Sequence, residues 1–198
     1  GISIPTNPRS MDKATSYLHE ATLEDLDSDE EYFYKVTYNE NVIAEASFHS
    51  KKNPGNPFSF VVLGDSGASF GDTDHAQYKI AFAMEQDLLT EGFDFMIHTG
   101  DVVYAEGREE EYDMNYFEPY YGLGLEVPVL PSIGNHDHAG PEDLAPYLRN
   151  FYLPEAVEGN EQYYSFEHGD SLFIALDDQK SDYNLLSQQS TWLISTLA

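Results

Sequence analysis

Phe60-Val61-Val62-Leu63-Gly64-Asp65-Ser66-Gly67 is an apolar run closed by a Gly-Asp turn, and two later stretches share its form. Phe93 to Ile97 leads into Gly100-Asp101-Val102-Val103-Tyr104, and Val127 to Ile133 leads into Gly134-Asn135-His136-Asp137. Runs rich in Val, Ile and Phe that end on such turns read as buried strands. Asp101 follows Asp65 by 36 positions, and Asn135 follows Asp101 by 34. That interval fits strand, helix and return strand, so the spacing predicts βαβ units and an α/β fold. Right-handed crossovers set Asp65 and Asp101 side by side, at the carboxyl ends of strands where open α/β sheets bind ligands. Oxygen donors leaving three successive strand ends point to a metal centre.

The connecting segments agree with this layout. Asp74 to Thr90 reads as the first helix, with Asp72, Thr73 and Asp74 as candidate caps and Ala76, Ile80, Ala83, Met84 and Leu88 along one face. Glu109 to Tyr121 is a weaker second helix, broken near Pro119. Tyr163 to Phe166 and Leu172 to Leu176 read as a hairpin that turns at Glu167-His168-Gly169-Asp170. Gln188 to Ala198 reads as a helix bearing Trp192.

In order, the three motifs G-D-x-G, G-D-x-x-Y and G-N-H-D resemble those of the calcineurin-like metallophosphoesterases, and within them the purple acid phosphatases. The likeness runs from about Phe58 to Ala198 and includes Phe95-Met96-Ile97-His98-Thr99, Val127-Pro128-Val129-Leu130-Pro131, Gln162-Tyr163-Tyr164-Ser165-Phe166 and Leu172 to Asp177. Many relatives carry D-x-H in the first motif and use that histidine as a ligand. Here Gly67 stands at that position and Tyr104 is offered by the second motif. A phenolate is a hard anionic donor whose ordinary pKa of about 10 falls when a highly charged metal replaces its proton. The resemblance therefore implies ferric iron, with a divalent partner that is iron, zinc or manganese.

Carried over by position, the resemblance implies that Asp65, Asp101 and Tyr104 bind the first metal and that Asp101 also bridges to the second. Asn135 is then a neutral ligand of the second metal. A bridging carboxylate offsets the repulsion of two cations about 3.5 to 4 Å apart and fixes their separation. His136 is expected to face the substrate and to orient the phosphate or protonate its leaving oxygen. The implied nucleophile is a metal-bound hydroxide. The implied architecture is a four-layer α-β-β-α sandwich, two mixed sheets face to face with helices outside, of which the C-terminal part is missing.

Plainer readings compete with these roles. An aspartate after glycine at a strand end is ordinarily a turn former or helix cap, and Tyr104 is one of 15 tyrosines, most of which serve packing. His98 reads as a packed strand histidine, and His138 as either an outer support of the site or an exposed residue. The family also completes its centre with three further histidines, one in a V-x-x-H-like strand and two in a G-H-x-H loop. After His136 this chain has only His138 and His168, and His168 lies in the hairpin turn. The expectation is a fragment truncated at both ends, with the catalytic domain lacking its C-terminal part.

Before Phe58, the stretch Ala21 to Leu26 and the alternating Tyr32-Phe33-Tyr34-Lys35-Val36 resemble later strands of the fibronectin type III-like domain that precedes many purple acid phosphatase catalytic domains. The organisation expected is a partial N-terminal β-sandwich over 1–52, a Pro- and Gly-rich linker over 53–57 and the metallophosphoesterase domain over 58–198.

Composition bounds the function. The chain has 198 residues, 41% of them hydrophobic, and no cysteine, so disulfides, thiolate metal sites and cysteine nucleophiles are excluded. Nine basic against 36 acidic residues give a net charge of −27, which disfavours a nucleic-acid partner. Long-range repulsion of a small phosphate ester is screened beyond about 8 Å in physiological salt, while a bound metal acts at contact. The same acidity suits a salt-adapted source. No run of about 18 apolar residues predicts a membrane span, and the resemblance favours a periplasmic or extracellular location. Three readings follow: a binuclear metal phosphatase cleaving phosphate monoesters, a non-catalytic domain that keeps the fold with an incomplete metal site, and a phosphodiesterase or nucleotidase of the same superfamily. The first is preferred for the parent protein, with the isolated chain itself expected to be inactive.

Overall fold

The structure is a computed structural model that describes residues 4–9, 18–67, 76–179 and 185–198. Three parallel strands form its organising sheet: β5 (Phe60–Leu63), β6 (Phe95–His98) and β7 (Val129–Pro131), in the order β5-β6-β7. Leu63 pairs with His98, and His98 with Pro131, so the three strands end level with one another. The loops that carry the three motifs therefore leave one edge of the sheet together, as the spacing predicts.

Side chains alternate along β6. Met96 and His98 face the helices: Met96 joins a core with Ala81 and Met84 of α1 (Ala76–Thr90), Leu123 of α3 (Tyr121–Glu126) and Tyr147 of α4 (Ala145–Asn150). Phe95 faces the other way, meeting Phe166 of β8 (Tyr164–His168) and Phe173 of β9 (Ser171–Ala175) at ring separations of 5.4 and 5.2 Å. The antiparallel β8–β9 hairpin thus lies as a second β layer on the sheet, so helices, parallel sheet and hairpin form three successive layers. Tyr147 and Tyr164 both donate their hydroxyls to the carbonyl of Pro131, at 2.7 and 2.8 Å. Two buried tyrosines from different layers thereby pin the end of β7, just before the third motif.

The helices depart in detail from expectation. The candidate caps Asp72, Thr73 and Asp74 lie outside the described residues. Along α1 the buried residues are Gln77, Ala81 and Met84, whereas Ile80 and Ala83 are exposed. The helix is rotated because Gln77 turns inward to donate its side-chain amide to the carbonyl of Asn115 at 3.0 Å, a polar contact that apolar periodicity does not register. The single weak helix expected over 109–121 is instead the short α2 (Glu109–Tyr112) running into a π-helical turn (Asp113–Phe117). It stops before Pro119, and α3 follows although two of its six residues are glycine. Its buried Leu123 outweighs that poor propensity. The last helix, α5 (Gln188–Thr196), starts where expected, with the Ser187 hydroxyl accepting the N–H of Ser190 at 3.1 Å.

Ahead of the sheet, β1 (Asn7–Arg9) pairs with β2 (Leu18–Glu20), and β3 (Glu31–Tyr38) with β4 (Asn41–His49), both antiparallel. The second pair turns at Asn39 and Glu40, both with positive φ (48° and 65°). Tyr32 and Tyr34 point inward onto Phe48, and the Tyr34 hydroxyl donates to Leu125 of α3 at 2.6 Å. The Pro- and Gly-rich stretch that follows is tied on two sides. Asn53 N–H donates to Asp29 at 2.9 Å, and Gly55 N–H to Asp170 at 2.6 Å.

Candidate metal centre

Backbone pairing between β5 and β6 continues beyond the strands into the motifs. Asp65 N–H donates to Gly100 (3.2 Å), Gly67 N–H to Val102 (3.0 Å) and Tyr104 N–H to Gly67 (3.0 Å). Asp65 and Asp101 both adopt the left-handed conformation, with φ of 53° and 52°, a region that aspartate visits more readily than most residues. The two carboxylates thus leave adjacent strand ends from matching kinks. Gly67 allows the close approach: a Cβ there would lie 2.4 Å from the carbonyl oxygen of Val102. A histidine at this position, as in D-x-H relatives, would require the two loops to part.

Four of the five residues singled out by sequence meet directly. The Tyr104 hydroxyl donates to Oδ1 of Asp65 and lies 3.0 Å from Oδ2 of Asp101. Oδ1 of Asp101 accepts the backbone N–H of His136 at 2.6 Å. The His136 ring lies against that of Tyr104, with centroids 4.3 Å apart, and its Nδ1 is 2.6 Å from the carbonyl of Ala105. Asn135 is exposed and reaches the group only through its loop neighbours Gly134 and His136.

The chemistry of the donor set suits a hard cation. Two carboxylates and a phenol oxygen converge, and the single phenol proton lies between them. Burial first, then the hydrogen bonds to Asp65 and Asp101, push the Tyr104 pKa well above its usual value. The negative field that holds this proton would hold a cation in its place, with the phenol ionised. Among the described residues no group of three or more His, Asp or Glu side chains is placed to hold a metal ion.

Asp137, the last residue of the third motif, ties the loops of the second and third motifs together. Wholly buried, its carboxylate accepts the N–H groups of Asp101 (2.9 Å), Val102 (3.0 Å) and Gly134 (2.8 Å). Burial raises its pKa to about 6 against the lowering effect of these donors. The only sequence signal was its position immediately after the candidate ligand loop. His98 is indeed a packed strand residue, and it too serves the loops. Gly100 N–H donates to its Nδ1 at 3.3 Å, so Nε2 carries the proton toward the Ser66 hydroxyl at 2.8 Å. His138 is not an exposed residue: its ring nitrogens lie 2.8 Å from Asp143 and 3.4 Å from Asp177, neither of them among the candidate donors. His168 is engaged elsewhere, packed on Phe58 and Phe95 and accepting the N–H of Lys52 at 3.4 Å.

Comparison with known proteins bears on the family and the fold. The family profile described as Calcineurin-like phosphoesterase matches residues 58–195. The chain is 23% identical, over 93% of its length, to the Fe(3+)-Zn(2+) purple acid phosphatase 12 of Arabidopsis thaliana, and spans 40% of that protein. It is also 23% identical, over 90% of its length, to the Arabidopsis thaliana protein named Probable inactive purple acid phosphatase 1, and spans 35% of it. Among solved structures, a purple acid phosphatase isolated from yellow lupin (Lupinus luteus) seeds superposes on 99% of the chain with a TM-score of 0.76 and 21% identity. The chain spans 41% of that structure. The α/β metallophosphoesterase fold follows from this likeness.

Proposed function

This chain belongs to the calcineurin-like phosphoesterase family, and on that footing we propose that it is the metal-binding part of a purple acid phosphatase-like hydrolase of small phosphate monoesters. The observation that carries the proposal is the Tyr104 hydroxyl lodged between Asp65 and Asp101. In this reading Asp65, Asp101 and Tyr104 would hold a ferric ion, and Asp101 together with Asn135 would hold a divalent one. Such a pair supplies Lewis acidity and a water that loses its proton near neutral pH. The chain's own residues do the rest. Asp101 uses one oxygen toward Tyr104 and the other toward the His136 N–H, so the residue that holds the metals also sets the proton donor. With Nδ1–H engaged by the Ala105 carbonyl, His136 keeps Nε2 for the substrate, and it protonates the leaving oxygen only as the imidazolium, with both ring nitrogens carrying protons.

The same reading divides the chain into a partial β-sandwich over 1–52, a connecting segment over 53–57 and the catalytic part over 58–198. Four layers are proposed for the complete fold. The likeness favours an extracellular or periplasmic location, and no described helix is long and apolar enough to cross a membrane. The net charge of −27 favours a small ester over a nucleic acid.

A second reading, a fold that binds a partner without turnover, is favoured by the likeness to a relative whose name calls it inactive. One experiment separates the readings. The protein carrying this chain in its full length is loaded with iron and zinc and assayed on p-nitrophenyl phosphate and bis(p-nitrophenyl) phosphate. Monoester hydrolysis that Asp101→Ala abolishes together with metal binding is the expected result. Preference for the diester would make it a phosphodiesterase, and metal binding without turnover would make it a non-catalytic domain.

A further inference from the structure

Glu111 lies on α2, outside the set of residues with an assigned role. Its carboxylate gathers three backbone donors from the loop after Tyr104: Oε1 accepts Ala105 N–H at 3.0 Å, and Oε2 accepts Glu106 N–H at 3.4 Å and Arg108 N–H at 2.7 Å. A glutamate at the third position of a helix commonly reaches back to the residue that starts it, and the bond to Arg108 is such a cap. The bonds to Ala105 and Glu106 lie upstream of the helix start and do nothing for α2. What they fix is the peptide on which His136 depends, because the Ala105 carbonyl is the partner of His136 Nδ1 at 2.6 Å. A carbonyl only accepts, so Nδ1 carries the proton of the neutral ring and Nε2 is its unprotonated nitrogen. Nε2 makes no hydrogen bond among the described residues.

We propose that Glu111 is a positioning residue for His136: by holding the Ala105 segment it keeps the His136 proton on Nδ1 and reserves Nε2 for substrate. The catalytic consequence rests on the role given to His136 above, whereas the tautomer does not.

The test is long-range proton–nitrogen NMR on protein with 15N-labelled histidine, at a pH well above 6.5 where ordinary imidazoles are neutral. The His136 signal is assigned by its absence from His136→Asn. The wild-type ring is expected to show the Nδ1–H pattern, and Glu111→Ala to lose it while the His98 pattern stays unchanged. Should Glu111→Ala fail to fold, Glu111→Met keeps the length of the side chain but offers the loop donors no oxygen, and the same loss is expected. An unchanged His136 pattern in a folded variant, or a wild-type ring protonated on Nε2, overturns the proposal. In the active full-length protein Glu111→Ala is expected to lower kcat about tenfold or more with KM nearly unchanged. Loss of the Nδ1–H pattern with kcat intact would uphold the positioning of the ring and remove His136 as proton donor.

Discussion

The Asp137 carboxylate accepts the backbone N–H of Asp101 at 2.9 Å, so a buried side chain of the third motif sets the backbone of the residue at the centre of the second. The same carboxylate also accepts the N–H groups of Val102 and Gly134, and one group thereby joins the loops after β6 and β7, with Asp137 itself 36 positions beyond Asp101.

Asp137→Ala is expected to strand three buried N–H groups. At about 1 kcal/mol or more for each unsatisfied donor, the variant should lose about 3 kcal/mol of stability. Urea denaturation measures this directly, and a loss below about 0.5 kcal/mol, the scale of an ordinary surface change, would contradict the clamp. Metal affinity should fall in parallel, since Asp101 is no longer held.

Tyr104→Phe removes the phenol oxygen and leaves the ring packed on His136. The fold should survive, and iron loading should no longer produce a visible tyrosinate absorption band. Persistence of the band would assign it to another of the 15 tyrosines.

Gly67→Ala is expected to be poorly tolerated, because the new Cβ falls 2.4 Å from the Val102 oxygen and 2.5 Å from Cα of Val103. Both are backbone atoms that cannot step aside without breaking the pairing of the first two motifs. A destabilisation of about 1–3 kcal/mol or more is expected, on the scale of overpacked cores. Thermal melting reads it, and a wild-type melting temperature would mean that the loops separate freely.

Acid should weaken the fold through His98. Complete burial lowers its pKa from 6.5 to about 4, with Asp65 and Asp101 opposing the shift. The folded state therefore favours the neutral ring. The stabilisation is full above pH 6.5 and is lost progressively as pH falls toward 4, amounting to about 3 kcal/mol over that window. In His98→Gln the pH dependence of unfolding free energy between those limits should flatten. An equally steep dependence in the variant would assign the acid sensitivity to other groups.

Much of this was legible because it is local. The apolar runs before Asp65, Asp101 and Asn135 became β5, β6 and β7, and the hairpin at Glu167 to Asp170 became β8–β9, since strand and turn preferences act over a few residues. The helix over 109–121 was less legible because a π-helical turn and a Gly-rich α3 are set by burial of Tyr116 and Leu123. Apolar periodicity misjudged the face of α1 for a similar reason, as Gln77 is buried by a hydrogen bond to a carbonyl 38 residues away.

From sequence alone came the family, the three strand ends and the candidate site residues Asp65, Asp101, Tyr104, Asn135 and His136. Tertiary structure alone decided which atoms meet: Tyr104 between two carboxylates, Asp137 under three N–H groups, Glu111 behind Ala105, and the proton of His136 on Nδ1. Chain propensities specify where a strand stops and a turn begins. Hydrogen bonds between loops some 35 residues apart depend on distances of a few tenths of an ångström, which exist only once β5, β6 and β7 lie side by side.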